Sequence, residues 1–189
     1  MVLSPIIKKL MFVRQFDIDK GKIELLGGRQ IMIHASAVLE LQEIDEGKVY
    51  ESAKQSSLKN IKGAVEHAQV YGKMRDVFMD EIASLGKKIG ETDSGVINTL
   101  QEIFNVYGLG EINIQELDNA GKKAIVIVRD SALVEEFTKK TKGRSKAPVC
   151  SLTAGVIAGM FSYIFGKEID CIEEKCKSQG NSYCLFRVG

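Results

Sequence analysis

Between residues 51 and 86 apolar side chains recur at spacings of three and four: Leu58, Ile61, Val65, Ala68, Tyr71, Met74, Phe78, Ile82 and Leu85. That period puts them on one stripe and predicts an amphipathic helix or two in line, with Gly63 and Gly72 as points of kinking or division. A second stripe, Ile97, Leu100, Phe104 and Tyr107, follows a Thr92-Asp-Ser94 start signal and is placed to end at Gly108. The first 35 residues read differently: their Val, Ile and Phe content and turn residues predict strands over residues 9–17, 23–27 and 30–34. Ser36 then caps a helix beginning at Ala37. Downstream, strand candidates at 111–117 and 122–129 are joined by Asp118-Asn-Ala-Gly121, a connection length typical of hairpins. Asp130-Ser131 starts a short helix to about residue 138, an uncharged helix runs over 148–165 with Pro148 in its first turn, and strands at 167–177 and 182–188 close the chain.

This order lacks strict βαβα alternation, and it predicts a mixed α+β fold: an antiparallel sheet with helices packed on it. Residues 1–45 read as a β-rich N-terminal extension and 46–189 as the main domain. The uncharged run 147–166 is near the length a bilayer needs and contains Gly155-x-x-x-Gly159. Pro148, Cys150, Ser151, Thr153, Ser162 and Tyr163 dilute its hydrophobicity, so it reads as a buried helix whose glycines admit close neighbours, with no membrane span. The apolar residues Ile157, Met160, Phe161 and Phe165 read first as core filling, and are also the best candidates to line a pocket.

Charge narrows the function classes. The 26 Lys and Arg against 25 Asp and Glu give a net charge of +1, spread along the 189 residues, which excludes a bulk polyanion binder. The basic stretch from Lys139 to Lys146 reads as a solvated loop with no recognition helix behind it, so direct nucleic-acid binding is not expected. Lys8 and Lys9 interrupt the short apolar stretch near the N-terminus, and the expected location is cytoplasmic. His34 and His67 read as structural, and Gly108-x-Gly110 has neither the spacing nor the following helix of a dinucleotide fingerprint.

All four cysteines, Cys150, Cys171, Cys176 and Cys184, fall in the last 40 residues. If Gln179-Gly180-Asn181 forms a three-residue loop, Cys176 and Cys184 sit opposite each other, close enough to share a metal or to form a disulfide. Cys150, just inside a helix N-terminus where thiolates are favoured, is a third candidate ligand for a tetrahedral zinc. The fourth is open among Cys171, Glu173, Glu174 and a histidine. Strand alternation puts Glu174 on the face of Cys176, and Cys171 with Glu173 on the other.

The stretch Gly155-x-x-x-Gly159, then Glu173-x-x-Cys176-x-x-x-Gly180-x-x-x-Cys184-x-Phe186, resembles the C-terminal signature of the 4-vinyl reductase domain, a small-molecule-binding module of archaeal hydrocarbon-binding-type proteins and bacterial aromatic sensors. The resemblance implies a fold similar to that shared by NO-signalling and vesicle-tethering proteins. It implies a structural zinc held by Cys150, Glu173, Cys176 and Cys184, with Cys171 left as a buried apolar thiol. Preferring Glu173 runs against strand parity, and a bulge near Glu174 or Lys175 reconciles the two. The same resemblance implies a sensor or carrier for a small apolar or aromatic molecule, expected to be a homodimer. It assigns no ligand-lining residues. The alternatives are a reductase component acting on a tetrapyrrole vinyl group, another metal enzyme, or an assembly adaptor.

Overall fold

The computed structural model describes residues 16–17, 22–25, 28–70, 101, 104–105 and 107–189. The stripe from Tyr71 to Leu85, the Thr92 start signal, and most of the strand expected over 9–17 lie outside the described residues. Three short strands, β1 (Phe16–Asp17), β2 (Lys22–Leu25) and β3 (Gly28–Gln30), form an antiparallel sheet. The strand expected over 30–34 is instead β3, because Gln30 already pairs with Ile23 near the start of β2 and the chain beyond it runs out of partner. Helix α1 (Ala35–Ile44) starts two residues before the expected Ala37, and its cap is His34, whose ring accepts from the Ser36 N–H at 3.4 Å. His34 is therefore structural, as a hydrogen-bonded cap rather than a strand end.

Helix α2 (Glu46–Val70) begins five residues earlier than the hydrophobic stripe predicts. Asp45 explains the start: its carboxylate accepts from the Lys48 N–H at 3.0 Å, the bond expected of an N-cap. The helix runs unbroken through Gly63. The hairpin expected after it is present as β4 (Glu111–Asp118) and β5 (Lys123–Arg129), with the Asp118 carboxylate accepting from the Gly121 N–H at 2.8 Å to fix the turn. Helix α3 (Ala132–Thr141) is capped by Ser131, and ends on Lys139 and Lys140, whose charge favours a helix C-terminus.

Helix α4 (Ser151–Phe165) starts three residues after Pro148, with Cys150 at the cap instead of inside the first turn. Gln42 of α1 explains the position, accepting from the Leu152 N–H and donating to the Val149 carbonyl, both at 2.9 Å. Strands β6 (Cys171–Lys175) and β7 (Cys184–Val188) complete a four-stranded antiparallel sheet of order β4-β5-β7-β6. Ile112, Val126, Val128, Phe186 and Val188 of this sheet share one core with Ile157, Met160, Phe161 and Phe165 of α4. Each such burial contributes roughly 1.5–3 kcal/mol. The mixed α+β architecture read from the sequence is the one observed. Among the described residues no helix is long and apolar enough to cross a membrane.

Helix α4 lies directly on α2, with Gly155 against the backbone of Tyr50 and Gly159 against that of Lys54. The Ser57 hydroxyl donates to the Val156 carbonyl at 3.1 Å. At the same interface Lys54, only 3% exposed, reaches Asp170 at 2.7 Å and Glu168 at 3.0 Å. Tyr50 donates to Asp170 and accepts from the Cys171 N–H, both at 3.0 Å, so one polar cluster joins α2 to the start of β6. The Lys54 ammonium holds the Asp170 carboxyl below the ordinary 3.8, so this contribution is present above that value and is lost as pH falls through the lowered one. Burial opposes the Lys54 charge, but its bonds to Asp170 and Glu168 prevail and raise its pKa, so the contribution persists up to at least the ordinary 10.5. Lys54→Met, which keeps the buried stem, is expected to cost about 1 kcal/mol, or roughly 3 °C in melting temperature, near neutral pH. The gap closes in melts taken below about pH 3; an undiminished gap there removes the ion pair as its source.

Candidate metal centre

Cys150 caps α4, Glu173 lies in β6, Cys176 follows that strand and Cys184 opens β7. These four are the residues the signature singles out, and the fold brings one ligand atom from each to within 4.8 Å of all the others. The sulfur separations are 4.0 Å for Cys150 and Cys176, 3.9 Å for Cys150 and Cys184, and 3.7 Å for Cys176 and Cys184. All three thiols are free and fully buried.

Register decides between the two glutamates. Glu173 pairs with Phe186 and Lys175 with Leu185, so Glu174 is the extra residue of a bulge. The bulge reverses the alternation: Glu173 joins the cysteines, while Glu174 forms a two-bond pair with Arg187 at 2.5 and 3.0 Å. The connection is longer than the three-residue loop expected from spacing. Residues Lys177–Gln179 form a 3-10 turn, Gly180 takes the left-handed conformation at φ 100°, and Asn181 donates to the Cys176 carbonyl at 2.9 Å. Cys176 thus leaves the strand, and the turn supplies the curvature that points its sulfur back at Cys184.

The donor set fits a thiophilic dication. With zinc–sulfur bonds of about 2.3 Å, a tetrahedron has sulfur-to-sulfur edges of roughly 3.8 Å, and the three separations fall within a few tenths of that. Glu173 contributes one oxygen, Oε2, to the Cys150 N–H at 2.9 Å, while its other, Oε1, is buried without a partner. Burial, followed by the charge on Cys176, pushes the Glu173 carboxyl up to about 8. Hydrogen bonds from Cys150 and Cys184 pull the Cys176 thiol far down, and the bond to Cys176 holds Cys150 far up. Four acidic groups in one dry cluster share protons in this way because they cannot all ionise together, and a cation removes the conflict.

Cys171 stands apart from this cluster, a buried residue of β6 paired with Val188, and its thiol is raised by burial. His34 is exposed at the start of α1 and the side chain of His67 lies outside the described residues. Sequence reasoning passed over Gln42, Ser131 and Ser178, which position or contact the cysteine-bearing elements; short polar residues at such spacings carry no pattern of their own. It also missed Thr153, whose hydroxyl is buried without a partner. Three and four residues beyond Thr153 come Val156 and Ile157, and Met160 is at seven, the spacing of neighbours on one side of a helix.

Residues 130–189, which include the whole cluster, match the family model of the vinyl-4-reductase domain. The C-terminal third of the chain is therefore a domain of that family, and the resemblance read from Gly155 to Phe186 stands. Two uncharacterized proteins of Methanocaldococcus jannaschii are similar to it. One is 27% identical over 128 residues, 60% of this chain and 66% of that protein. The other is 32% identical over 95 residues, 48% of this chain and 37% of that protein. The chain thus covers less than two thirds of either. Among solved structures, the phenol-responsive sensory domain of the transcription activator PoxR, solved with phenol, has a similar fold: TM-score 0.67 and 20% identity, over 98% of this chain and 90% of that one. A vinyl-4-reductase family protein from Methanocaldococcus jannaschii aligns with TM-score 0.48 and 16% identity, over 100% of this chain and 96% of that one.

Proposed function

We propose that this protein is a small-molecule sensor or carrier whose domain, residues 46–189, captures an apolar or aromatic ligand and is held in shape by a structural zinc. The ligands of the zinc are Cys150, Glu173, Cys176 and Cys184. Four protein ligands complete a tetrahedral shell and leave no place for an activated water, so the ion supplies cross-linking rather than catalysis. The chain's own residues do the rest: Cys150 fixes the start of α4, and Glu173, Cys176 and Cys184 fix the final hairpin against it.

The single observation that carries ligand capture is the likeness, over nearly the whole chain, to a sensory domain solved with phenol. Thr153 supports it chemically. A buried hydroxyl without a partner is costly, and one on the side of α4 shared with Ile157 and Met160 offers a hydroxylated aromatic both an apolar surface and a hydrogen bond. We include a homodimer in the proposal, because Ile31, Met32 and Ile33, with Leu41 and Ile44 of α1, expose a run of large apolar side chains.

Native mass spectrometry of the untreated full chain tests the whole reading: one zinc per chain, a two-chain species and any co-purified molecule are expected in one spectrum. Calorimetric titration with phenol and with toluene then tests the polar contact. Thr153→Val is expected to weaken phenol about tenfold and leave toluene unchanged, with stability equal to or slightly above wild type. Absence of binding by either compound counts against aromatic capture, and equal loss of both counts against the role of Thr153.

A further inference from the structure

Three thiolates and a carboxylate around a dication carry a net charge of about −2, here in a site whose sulfurs are all fully buried. Burying such an excess is unfavourable unless hydrogen-bond donors offset it. Each of the four residues has a partner for this purpose. The Cys150 N–H donates to Glu173 at 2.9 Å, the Lys177 N–H to the Cys184 sulfur at 3.4 Å, and the Ser178 hydroxyl to the Cys176 sulfur at 3.0 Å; the Ser131 hydroxyl lies 3.5 Å from the Cys150 sulfur. Ser131 is also the cap of α3, accepting from the Val134 N–H at 3.4 Å.

Ser178 differs from the others in having a second group behind it. Its oxygen is 2.6 Å from that of Ser145, and the Ser145 N–H donates to the Ser178 carbonyl at 3.0 Å. A serine hydroxyl carries one proton. Since Ser178 gives its proton to sulfur, Ser145 must donate to Ser178, and the two form a directed chain ending on Cys176. Such chains polarise each link toward the charge they end on. The side chain of Ser178 is 4% exposed, so water does not take over its role. Ser145 belongs to the basic stretch after α3, which the Gln179 side chain also holds through the Lys146 carbonyl at 3.4 Å.

Resting on the zinc reading above, we propose that Ser178, backed by Ser145, is a positioning residue of the metal centre: it withdraws charge from the Cys176 sulfur and protects the bound sulfur from electrophiles. Without that hydroxyl the sulfur is richer in electrons. Its charge-transfer absorption with a bound Co²⁺ then moves to lower energy, and its attack on an alkylating agent becomes faster.

The test uses the full chain loaded with Co²⁺, comparing wild type with Ser178→Ala, Ser178→Thr and Ser145→Ala. Ser178→Ala is expected to shift the sulfur-to-cobalt band to longer wavelength and to raise the rate of iodoacetamide alkylation about five- to tenfold, the size of one lost hydrogen bond to a charged group. Ser178→Thr restores both readouts, and Ser145→Ala moves both the same way by a smaller amount. Should Ser178→Ala fail to fold, Ser145→Ala decides the question alone. A normal band in wild type that neither alanine variant moves, with wild-type alkylation, overturns the role of Ser178 and leaves the metal centre intact. A wild type that shows no sulfur-to-cobalt band overturns the metal centre itself, and the role of Ser178 with it.

Discussion

Cys176→Ser is expected to lose its zinc on gel filtration and to melt at least 10 °C below wild type. Cys176 sits in the turn between β6 and β7, and its sulfur meets those of Cys150 and Cys184 at 4.0 and 3.7 Å. A zinc there binds the N-terminus of α4 to a hairpin more than twenty residues further along the chain, so its binding energy is also folding energy. Replacing one thiolate by a hydroxyl removes a strong ligand and leaves the remaining acidic groups crowded and buried without a counter-charge. A loss of about 3–5 kcal/mol in a chain of this size corresponds to roughly 10–15 °C. Two controls sharpen the result. Cys171→Ala, outside the cluster, is expected to keep full metal content, and a strong chelator lowers the melting point of wild type but not of Cys176→Ser. Wild-type metal content and melting in Cys176→Ser defeat the staple, as does untreated protein that carries no metal and a bond between Cys176 and Cys184.

Much of this site is legible in the sequence, and the reason is local. A hairpin and a helix start are short-range objects, so spacing alone brings Cys176 and Cys184 together, and the β4–β5 hairpin follows from Asp118-Asn-Ala-Gly121. The choice of Glu173 over Glu174 is not legible from alternation, because the bulge that decides it is a matter of pairing with β7 and of Arg187 holding Glu174 away. Helix starts escape for the same reason where their partners are distant. Gln42 sets the first turn of α4 from more than a hundred residues away, and no pattern near Pro148 announces it. The start of α2 is the opposite case: Asp45 is a legible local cap, overlooked because the hydrophobic stripe begins later. Ser178 and Ser145 are invisible in the sequence because their value lies wholly in what the fold places beside them.

Gly159→Ala is expected to destabilise the protein by about 2–4 kcal/mol, against the usual direction of this substitution inside a helix. In an exposed helix interior, alanine gains roughly 0.5–1 kcal/mol over glycine by restricting the unfolded chain. At Gly159 an added Cβ meets the Ser57 Cβ at 2.8 Å and the Leu58 backbone nitrogen at 3.0 Å, with the Lys54 carbonyl oxygen nearer still. Two of these are backbone atoms of α2, which cannot rotate aside as a side chain can, so the whole of α4 must move off. Gly155 repeats the arrangement one turn earlier against Tyr50 and Ala53, and Cys150 caps that same helix. Displacement of α4 therefore also pulls one sulfur from the cluster, and Gly159→Ala is expected to release metal faster than wild type. Gly47→Ala supplies the contrast, since its Cβ meets only the Asp45 carboxylate at 3.7 Å, and neutral to slightly raised stability is expected there. Because Gly155 and Gly159 share one interface, the double alanine variant should lose less than the sum of the singles once the helices have parted. Thermal melts of the four variants decide the matter: a Gly159→Ala protein at least as stable as wild type means that α2 and α4 do not pack backbone to backbone.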